Sequence, residues 1–534
     1  MANFRGSTSD FINFLTMKNS NYWRNIAGLF IILPQFIHGS MYHITDQEWE
    51  WRDGSAEGGQ YSTQIIDSDP IKTQQYPGSR QGATVWNSGK ELWLFGGKGP
   101  NGRSGAINDL WKMENETMKW SLVEFDVGSP KPEGRMLASS CGVPGLFFFI
   151  FGGMDDNAHF GDAWVFYMKK QEWVPLINQS RIVPPRGAAA YWCLKDRLII
   201  YGGRNVKGDI LSDMWSLSLK DLQWTLLNNP SPSPGSRDGG ATWSAKNETM
   251  NLYLFGGNSL ETRDSHLSKG FMSDLWQFTV ETNSWQLLHG DSVRHKPGVY
   301  GSLGIPDQSN IPGSRKHSAT WIDTHGDLWM FGGGGQDKET KTTPSQSGKL
   351  LSDLWVFDIQ QRVWVWLGGP DIGEQEAFYG KLRSKSHQHI PGPRWQAVTW
   401  SHKNTFYMFG GEGHDKNNQD SILNDLWLLT FNIPPVGHKN DPNGFLGIGQ
   451  SLSPGALLGV CFAGACLIAI LFVLLMYAKK CWHAPRHKPV LYNIRYSSLI
   501  DDEQFEDDFT DDEQDELFEQ NKWRQNGKSS NTMR

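Results

Sequence analysis

The 534-residue chain has few cysteines and almost no charge bias. Five Cys are too few for a disulfide-stapled scaffold of this length. Fifty basic against 57 acidic residues give a net charge of −7, which argues against electrostatic binding of nucleic acid. The chain also lacks a phosphate-binding loop, a dinucleotide fingerprint, a nucleophile elbow and a zincin motif. What it has in excess is glycine (58) and tryptophan (25), and such an excess indicates a repeated unit.

A unit of about four short strands recurs six times. Each copy has an apolar run closed by two glycines, at Gly96-Gly97, Gly152-Gly153, Gly202-Gly203, Gly256-Gly257, Gly332-Gly333 and Gly410-Gly411. A polar loop then leads to Asp-x-Trp, at Asp109/Trp111, Asp162/Trp164, Asp213/Trp215, Asp274/Trp276, Asp353/Trp355 and Asp425/Trp427. An arginine precedes each copy: Arg80, Arg135, Arg186, Arg237, Arg315 and Arg394. A further tryptophan ends most copies: Trp120, Trp173, Trp224, Trp285 and Trp364. Apolar strands separated by Gly-rich turns, four to a unit, predict the blades of a β-propeller, with the arginines in ion pairs inside the blades.

The two ends of the repeat complete each other. Unit six runs from Trp427 into Pro434-Pro435 without a final tryptophan, whereas Trp49-Glu-Trp51 resembles the last strand of the other units. We therefore expect the segment around Trp49 to be the outer strand of blade six, which removes an open sheet edge. The fold class predicted for residues 46–431 is all-β, a six-bladed propeller closed by an N-terminal outer strand.

This pattern resembles the kelch repeat, in the style of the attractin/muskelin-type propellers. Some kelch propellers are enzymes, notably galactose-oxidase-like copper enzymes and sialate epimerases, and the copper chemistry needs clustered His with Tyr and a crosslinked Cys. Here Cys141 and Cys193 lie within predicted strands, and His387-Gln-His389 is the one close His pair of the ectodomain. We therefore expect no enzyme activity, no cofactor and no metal site.

Cys141 stands where the other units have a blade-core tryptophan, six residues after the arginine. Cys193 stands one position later in its own unit, beside Trp192. Adjacent strand positions point to opposite faces of a sheet, so we expect no disulfide between the two cysteines.

The ends of the chain carry membrane signals. Residues 1–40 are predicted to be a signal peptide, although initiation at Met17 or an uncleaved anchor are alternatives. After a juxtamembrane linker at 432–453, residues 454–478 form an uncharged run of 25 residues, long enough to cross a bilayer as one α-helix. Lys479 and Lys480 follow at once, which by the positive-inside rule predicts a type I protein in the plasma membrane or in endosomal or secretory membranes.

The tail, residues 479–534, is predicted to be cytoplasmic, acidic and disordered. Within it, Tyr496 and Leu499 resemble a tyrosine-based sorting signal of the kind that clathrin adaptors bind. The juxtamembrane Cys481 is a candidate for palmitoylation, or a reduced thiol without a role.

Loop lengths break the sixfold pattern and indicate where a partner binds. The intervals from a final tryptophan to the next arginine are 15, 13 and 13 residues in three units, against 30, 30 and 31 in the segments that lead into blades five, six and one. Loops on a rigid scaffold commonly carry binding sites. We predict contacts to a partner from Tyr61, Tyr300, Gln336, Tyr379, His387 and His389. The alternative is that the long crossovers pack as structural lids.

Three sequons, at Asn115, Asn178 and Asn247, predict N-glycans away from these loops. Together these features favour a membrane-anchored extracellular propeller that acts as a receptor or adhesion module for an unidentified protein or glycan. The second reading is a trafficking or cargo-handling membrane protein, and an ecto-enzyme of the galactose-oxidase or sialate-epimerase type is the third.

Overall fold

The computed structural model describes residues 40–42, 47–61, 63–64, 75–100, 106–176, 182–229, 231–245, 250–263, 266–339, 348–403, 405–431 and 492–494. All regular structure within these ranges is β-strand. None of the described residues forms a helix that is long and apolar enough to span a membrane. The predicted signal peptide (except Ser40), the linker 432–453, the span 454–478 and, apart from residues 492–494, the tail lie outside the described residues.

Each predicted unit forms one sheet of antiparallel strands that pair in meander order. Sheet 1 contains Thr84–Asn87, Glu91–Phe95, Leu110–Glu114 and Lys119–Leu122. Sheet 2 contains Ser139–Val143, Phe147–Phe151, Ala163–Tyr167 and Glu172–Pro175. Sheet 3 contains Ala190–Cys193, Arg197–Tyr201, Met214–Ser218 and Trp224–Leu227. The apolar runs recognised in the sequence are the second strands, buried because each sheet packs between two others.

The second half of the repeat follows the same plan with additions. Sheet 4 contains Ala241–Ala245, Asn251–Phe255, Leu275–Thr279 and Ser284–His289, with a hairpin of Asn258–Arg263 and His266–Phe271 inserted. Sheet 5 contains Ala319–Ile322, Leu328–Gly335, Lys349–Asp358 and Val363–Gly368, and Arg315–Lys316 pairs with its second strand. Sheet 6 contains Val398–His402, Thr405–Phe409, Leu426–Phe431 and Gln47–Asp53.

The N-terminal strand closes sheet 6, as the sequence predicts. Gln47–Asp53 pairs antiparallel with Leu426–Phe431, with Trp49 opposite Leu429. A short strand, Lys385–Ser386, covers the outer edge of this added strand. The remaining sheets are short. Thr63–Gln64 pairs with Gln75–Tyr76, and Ser40–Tyr42 pairs with Tyr492–Ile494. Glu412–His414 is the middle strand of a three-stranded sheet, between Arg394–Trp395 and Asp420–Ile422.

A closed circle of six backbone hydrogen bonds joins the sheets at one end. The donor and acceptor in each case is the residue two positions after the unit's arginine. Each N–H donates to the carbonyl of the equivalent residue in the preceding sheet, at 2.7–3.0 Å. The donor and acceptor pairs are Gly82 to Gln396, Leu137 to Gly82, Ala188 to Leu137, Gly239 to Ala188, His317 to Gly239 and Gln396 to His317. All six residues have a left-handed backbone, with φ between 54° and 65°. Four of the six are not glycine, and L-residues with a side chain otherwise avoid this backbone region. The hydrogen bonds of the circle therefore hold these four in a strained conformation.

A second sixfold contact lies further out, between the aromatic residue before each glycine pair and the last tryptophan of the next sheet. The pairs are Phe95–Trp173, Phe151–Trp224, Tyr201–Trp285, Phe255–Trp364, Phe331–Trp49 and Phe409–Trp120, with ring centroids 4.9–5.6 Å apart. Trp49 thus takes the place of a final tryptophan in sheet 6. The tryptophans are therefore mainly part of the scaffold.

The expectation of no disulfide is wrong. Cys141 and Cys193 are bonded, with their Cα atoms 5.0 Å apart. Cys141 lies in sheet 2 and Cys193 in sheet 3, and their side chains leave the two sheets on opposite faces. Because the face of sheet 2 that carries Cys141 packs against the face of sheet 3 that carries Cys193, the two sulfur atoms meet between the sheets. The prediction compared positions within one sheet and overlooked the packing of neighbours.

Removing this disulfide should weaken the protein without altering its fold. We expect the double substitution Cys141→Ala and Cys193→Ala to lower the free energy of unfolding by about 2–4 kcal/mol, because the bond closes a long loop in the unfolded chain. Denaturant titration measures this loss. Peptide mapping after maleimide labelling is the check on the bond itself: labelling of Cys141 and Cys193 in denaturant without a reductant would contradict it.

Candidate functional site on the crossover face

The end of the sheets that carries the glycine pairs, the arginines and the crossovers between sheets is called here the crossover face. At this face each arginine forms an ion pair with the aspartate of its own Asp-x-Trp motif, and this Arg–Asp pair is called the clasp of its sheet. The pairs are Arg80–Asp109, Arg135–Asp162, Arg186–Asp213, Arg237–Asp274, Arg315–Asp353 and Arg394–Asp425. The interpretation of the arginines as ion pairs within the blades is confirmed.

The arrangement in sheet 1 shows how a clasp is built. Arg80 donates Nη1 and Nη2 to the two carboxylate oxygens of Asp109, at 2.8 and 3.0 Å, and Nε to the carbonyl of Gly78. The Trp111 indole donates to Asp109 Oδ2 at 2.7 Å. Burial alone would raise the pKa of Asp109, but Arg80 outweighs burial and holds that pKa below its usual value. All three nitrogens of the Arg80 guanidinium thus donate within the protein.

In sheets 5 and 6 the clasp is covered by a long crossover. Crossover 5 (residues 290–314) places the Tyr300 hydroxyl 2.7 Å from Asp353 Oδ2, and crossover 6 (residues 369–393) places the Tyr379 hydroxyl 2.6 Å from Asp425 Oδ2. The side chains of both aspartates are fully buried, whereas those of sheets 1 to 3 are 24–35% exposed. Burial raises the pKa of Tyr300 and Tyr379, and the adjacent aspartates raise it further, so both hydroxyls remain donors.

Further contacts hold the two crossovers in equivalent ways. Asn310 Nδ2 donates to the carbonyl of Trp364, and ten residues after Tyr379 the His389 Nδ1 donates to the carbonyl of Trp49. His387 Nδ1 donates to the carbonyl of Gln47 at 2.8 Å. These carbonyls lie on the outer strands, so the crossovers satisfy polar groups that a sheet edge leaves open.

Four of the six residues predicted to contact a partner are therefore structural. Tyr300, Tyr379, Gln336 and His389 are at most 6% exposed, and their polar atoms bind the protein itself. Gln336 Nε2 lies 3.2 Å from His295 Nδ1 and braces crossover 5. These four side chains are thus buried rather than exposed to a partner. For Tyr300 and Tyr379, a tyrosine beside a glycine in a long loop is as typical of an anchor as of a contact residue.

Four exposed apolar residues lie next to the buried tyrosines of crossovers 5 and 6. Val299 and Phe378 directly precede the buried tyrosines, and Leu303 and Leu382 follow them by three positions; all four are 37–51% exposed. Tyr61, in the crossover that leads into sheet 1, is 62% exposed, and His387 is half-exposed. The signal that could have identified the outward residues is alternation: where the tyrosine points in, the residue before it points out.

Around the centre of the crossover face, charged groups of different sheets meet. Lys316 Nζ lies 4.9 Å from the ring centroid of Trp395 and 5.5 Å from that of Phe271, and burial lowers the pKa of Lys316. The Arg204 guanidinium pairs with Asp238 at 2.6 Å. These residues could not be singled out from the sequence, because they take part in no repeated motif.

The predicted modification sites have different outcomes. Asn115 is 3% exposed, and its Nδ2, which would carry the glycan, donates to Asn87 Oδ1 and to the carbonyl of Gly89. This packing is incompatible with a glycan at Asn115. Asn178 and Asn247, like Tyr496, Leu499 and Cys481, lie outside the described residues. In the described part of the chain no group of three or more His, Cys, Asp or Glu side chains could hold a metal ion.

This architecture of antiparallel four-stranded sheets is that of a β-propeller, and the Arg, Gly-Gly and Asp-x-Trp positions define its kelch type. The KLHDC2/KLHL20/DRC7 Kelch-repeats domain matches residues 61–203 and 177–365, which is more than half of the chain. The chain therefore belongs to the kelch-repeat family. Kelch repeats are typical of protein-binding modules.

Curated relatives match about half of the chain. The chain is 24% identical over 315 residues to an F-box/kelch-repeat protein of Arabidopsis thaliana, covering 55% of this chain and 58% of that protein. It is 24% identical over 282 residues to the leucine-zipper-like transcriptional regulator 1 homolog of Drosophila melanogaster, covering 51% and 25%. Host cell factor 1 of Rattus norvegicus is 23% identical over 303 residues, covering 51% and 13%. The match thus spans less than two thirds of each of these relatives.

The tyrosine anchors can be tested by removing one hydroxyl. Tyr379→Phe should lower the free energy of unfolding by about 1–3 kcal/mol, because the hydroxyl donates to a buried carboxylate. Tyr61→Phe is the matched control and should change it by less than about 0.5 kcal/mol, since Tyr61 is exposed. Denaturant titration measures both. Equal stability of Tyr379→Phe and the wild type would contradict the anchoring role.

Proposed function

We propose that the protein is a membrane-anchored extracellular propeller of six blades that binds a protein partner through crossovers 5 and 6. The observation that carries this proposal is that both crossovers are fixed by the same tyrosine contact and present the same outward apolar pair. A rigid loop binds without a large cost for ordering it, which favours its use in recognition.

The exposed residues support a surface rather than a pocket. Val299 and Leu303 on crossover 5 correspond to Phe378 and Leu382 on crossover 6, and sheets 5 and 6 are neighbours in the circle. Lys381 and Lys385 flank Leu382, are exposed and have no acidic partner among the described residues, whereas Glu374 and Glu376 lie at the other end of the crossover. An apolar patch with a charged rim is the composition of a protein interface.

The position of the chain ends supports an outward-facing crossover face. Gln47 pairs with Phe431, and both stand at the end of sheet 6 opposite to Asp425 and the crossovers. A chain that continues from Phe431 towards residues 454–478 therefore leaves from the opposite face. With the span in a membrane, crossovers 5 and 6 point away from that membrane.

The disulfide supports an extracellular or lumenal propeller. Cys141 and Cys193 are the only cysteines of residues 46–431, and they are bonded to each other. Such a bond persists in oxidising compartments and is rare in the cytosol. The pairing of Ser40–Tyr42 with Tyr492–Ile494 stands against this arrangement, because a type I protein would place the two strands on opposite sides of the membrane. The topology experiment below decides between them.

The second candidate is a trafficking or cargo-handling protein of the endosomal or secretory route, in which Tyr496 and Leu499 bind a clathrin adaptor and Cys481 carries a palmitoyl chain. It uses the same propeller surface for cargo. An ecto-enzyme is the third candidate, and the described residues contain no group of three or more His, Cys, Asp or Glu side chains that could hold the metal ion of a copper enzyme.

The surface can be tested with a matched pair of double variants. Phe378→Ser with Leu382→Ser should reduce labelling of partner proteins about tenfold in proximity labelling with the intact protein, because apolar anchors dominate interface energies. Val206→Ser with Leu226→Ser alters one exposed apolar residue in the loop between the second and third strands of sheet 3 and one in its last strand, and should leave the labelling unchanged. Unchanged labelling for the first pair, with an unchanged melting temperature, would exclude this surface.

The topology can be tested by glycosidase treatment of the full chain in cells. We expect a loss of apparent mass from glycans at Asn178 and Asn247, and no further loss from Asn115, whose amide is buried. The double variant Asn178→Gln with Asn247→Gln should abolish the shift, and an epitope tag after Arg534 should be reached by antibody only in permeabilised cells. An unshifted wild-type protein with a tag accessible from outside would refute the type I arrangement.

A further inference from the structure

The sixfold repeat contains one clasp that differs from the others. In five units the arginine uses two nitrogens on the aspartate and donates Nε to the carbonyl two residues earlier, as Arg135 does to Glu133 at 3.0 Å. In sheet 4, Arg237 reaches Asp274 through Nη2 alone, and its Nη1 donates to the carbonyl of Ser236. The sequence motif is intact in this unit, so the difference must come from a neighbour.

The neighbour is Tyr201. The residue before the glycine pair is phenylalanine in five units and tyrosine in the third: Phe95, Phe151, Tyr201, Phe255, Phe331 and Phe409. The Tyr201 hydroxyl donates at 2.6 Å to the carbonyl of Gly235, which is the carbonyl that Arg237 Nε would use in the pattern of the other five. Burial raises the pKa of Tyr201 to about 12, so the hydroxyl keeps its proton.

The displaced clasp leaves polar atoms without protein partners. Arg237 Nε, Asp274 Oδ1 and the hydroxyl of the adjacent Ser273 are buried and have no hydrogen bond among the described residues. Arg237 and Asp274 are each 2% exposed, and Ser273 is fully buried. Buried polar atoms of this kind are nearly always satisfied by some group.

We propose that the sheet 4 clasp is a binding site for one buried water molecule, which accepts a hydrogen bond from Arg237 Nε and donates one to Asp274 Oδ1. A water molecule can do both at once. A cation would meet the guanidinium and an anion would meet the carboxylate, so a small neutral molecule fits the site best.

The site has a consequence for the ring. The carbonyl of Arg237 accepts from Gly203 N–H, and the carbonyl of Asp274 accepts from Gly256 N–H. A clasp that depends on a water molecule holds these carbonyls less firmly than a direct bidentate pair. We therefore expect sheet 4, which carries the extra hairpin Asn258–Arg263 and His266–Phe271, to open locally more readily than the sheets with a bidentate clasp.

Tyr201→Phe in the full-length protein tests the proposal by hydrogen exchange. It should free the Gly235 carbonyl for Arg237 Nε and slow the exchange of Gly203 and Gly256 about fivefold or more. The reciprocal variant Phe95→Tyr should direct a hydroxyl at the Glu133 carbonyl and speed the exchange of Gly97 and Gly152 in the sheet 2 clasp.

Each outcome decides the proposal. A crystal structure of the wild type should show a solvent peak within hydrogen-bond distance of Arg237 Nε and Asp274 Oδ1, and the Tyr201→Phe structure should lack it. Faster or unchanged exchange in Tyr201→Phe, or the absence of the peak in the wild type, would overturn it. The result does not depend on the proposed partner surface, because neither variant touches crossovers 5 and 6.

Discussion

The constraint on which the structure depends is closure. A circle of six backbone hydrogen bonds requires that the sixth sheet return to the first, and Gly82 N–H meets the Gln396 carbonyl at 2.9 Å. The chain meets this requirement by giving its N-terminal strand to the last sheet, so that Trp49 packs on Phe331 as the other final tryptophans pack on their neighbours. Closure removes the open edges of the sheets and places both ends of the propeller on one face.

Upon this repeated frame, departures from the sixfold pattern mark what is particular to the molecule. Crossovers 5 and 6 add a tyrosine to the Arg–Asp clasp, and this addition turns long loops into fixed surfaces. Tyr300 and Tyr379 point inward and are unavailable to a partner. The residues directly before them, Val299 and Phe378, point outward and are exposed. Tyr201 makes the opposite change, since it weakens a clasp rather than covering it.

Much of the fold could be predicted from the sequence, because kelch positions recur and each recurrence confirms the others. The ion pairing of the arginines inside the blades and the role of Trp49 could be predicted from the repeat, whereas the aspartate partners come from the structure. What could not be predicted depends on contacts that the repeat spacing does not show. The bond between Cys141 and Cys193 needs two sheets face to face, and the burial of Asn115 needs the turn that holds Asn87. Of the six residues predicted to contact a partner, four are buried, because tertiary contacts decide which of two neighbouring loop residues points inward.

Site-specific photo-crosslinking would show whether crossovers 5 and 6 form the partner-binding surface, because it reports which residue lies against a bound protein. A photoreactive phenylalanine analogue would replace Phe378 in one full-length variant and Val206, which is at least as exposed, in another, on intact cells. If the partner binds crossovers 5 and 6, we expect crosslinked partner protein from position 378 and none from position 206. Crosslinks from position 206 alone, or none from position 378 in a correctly folded protein, would contradict it.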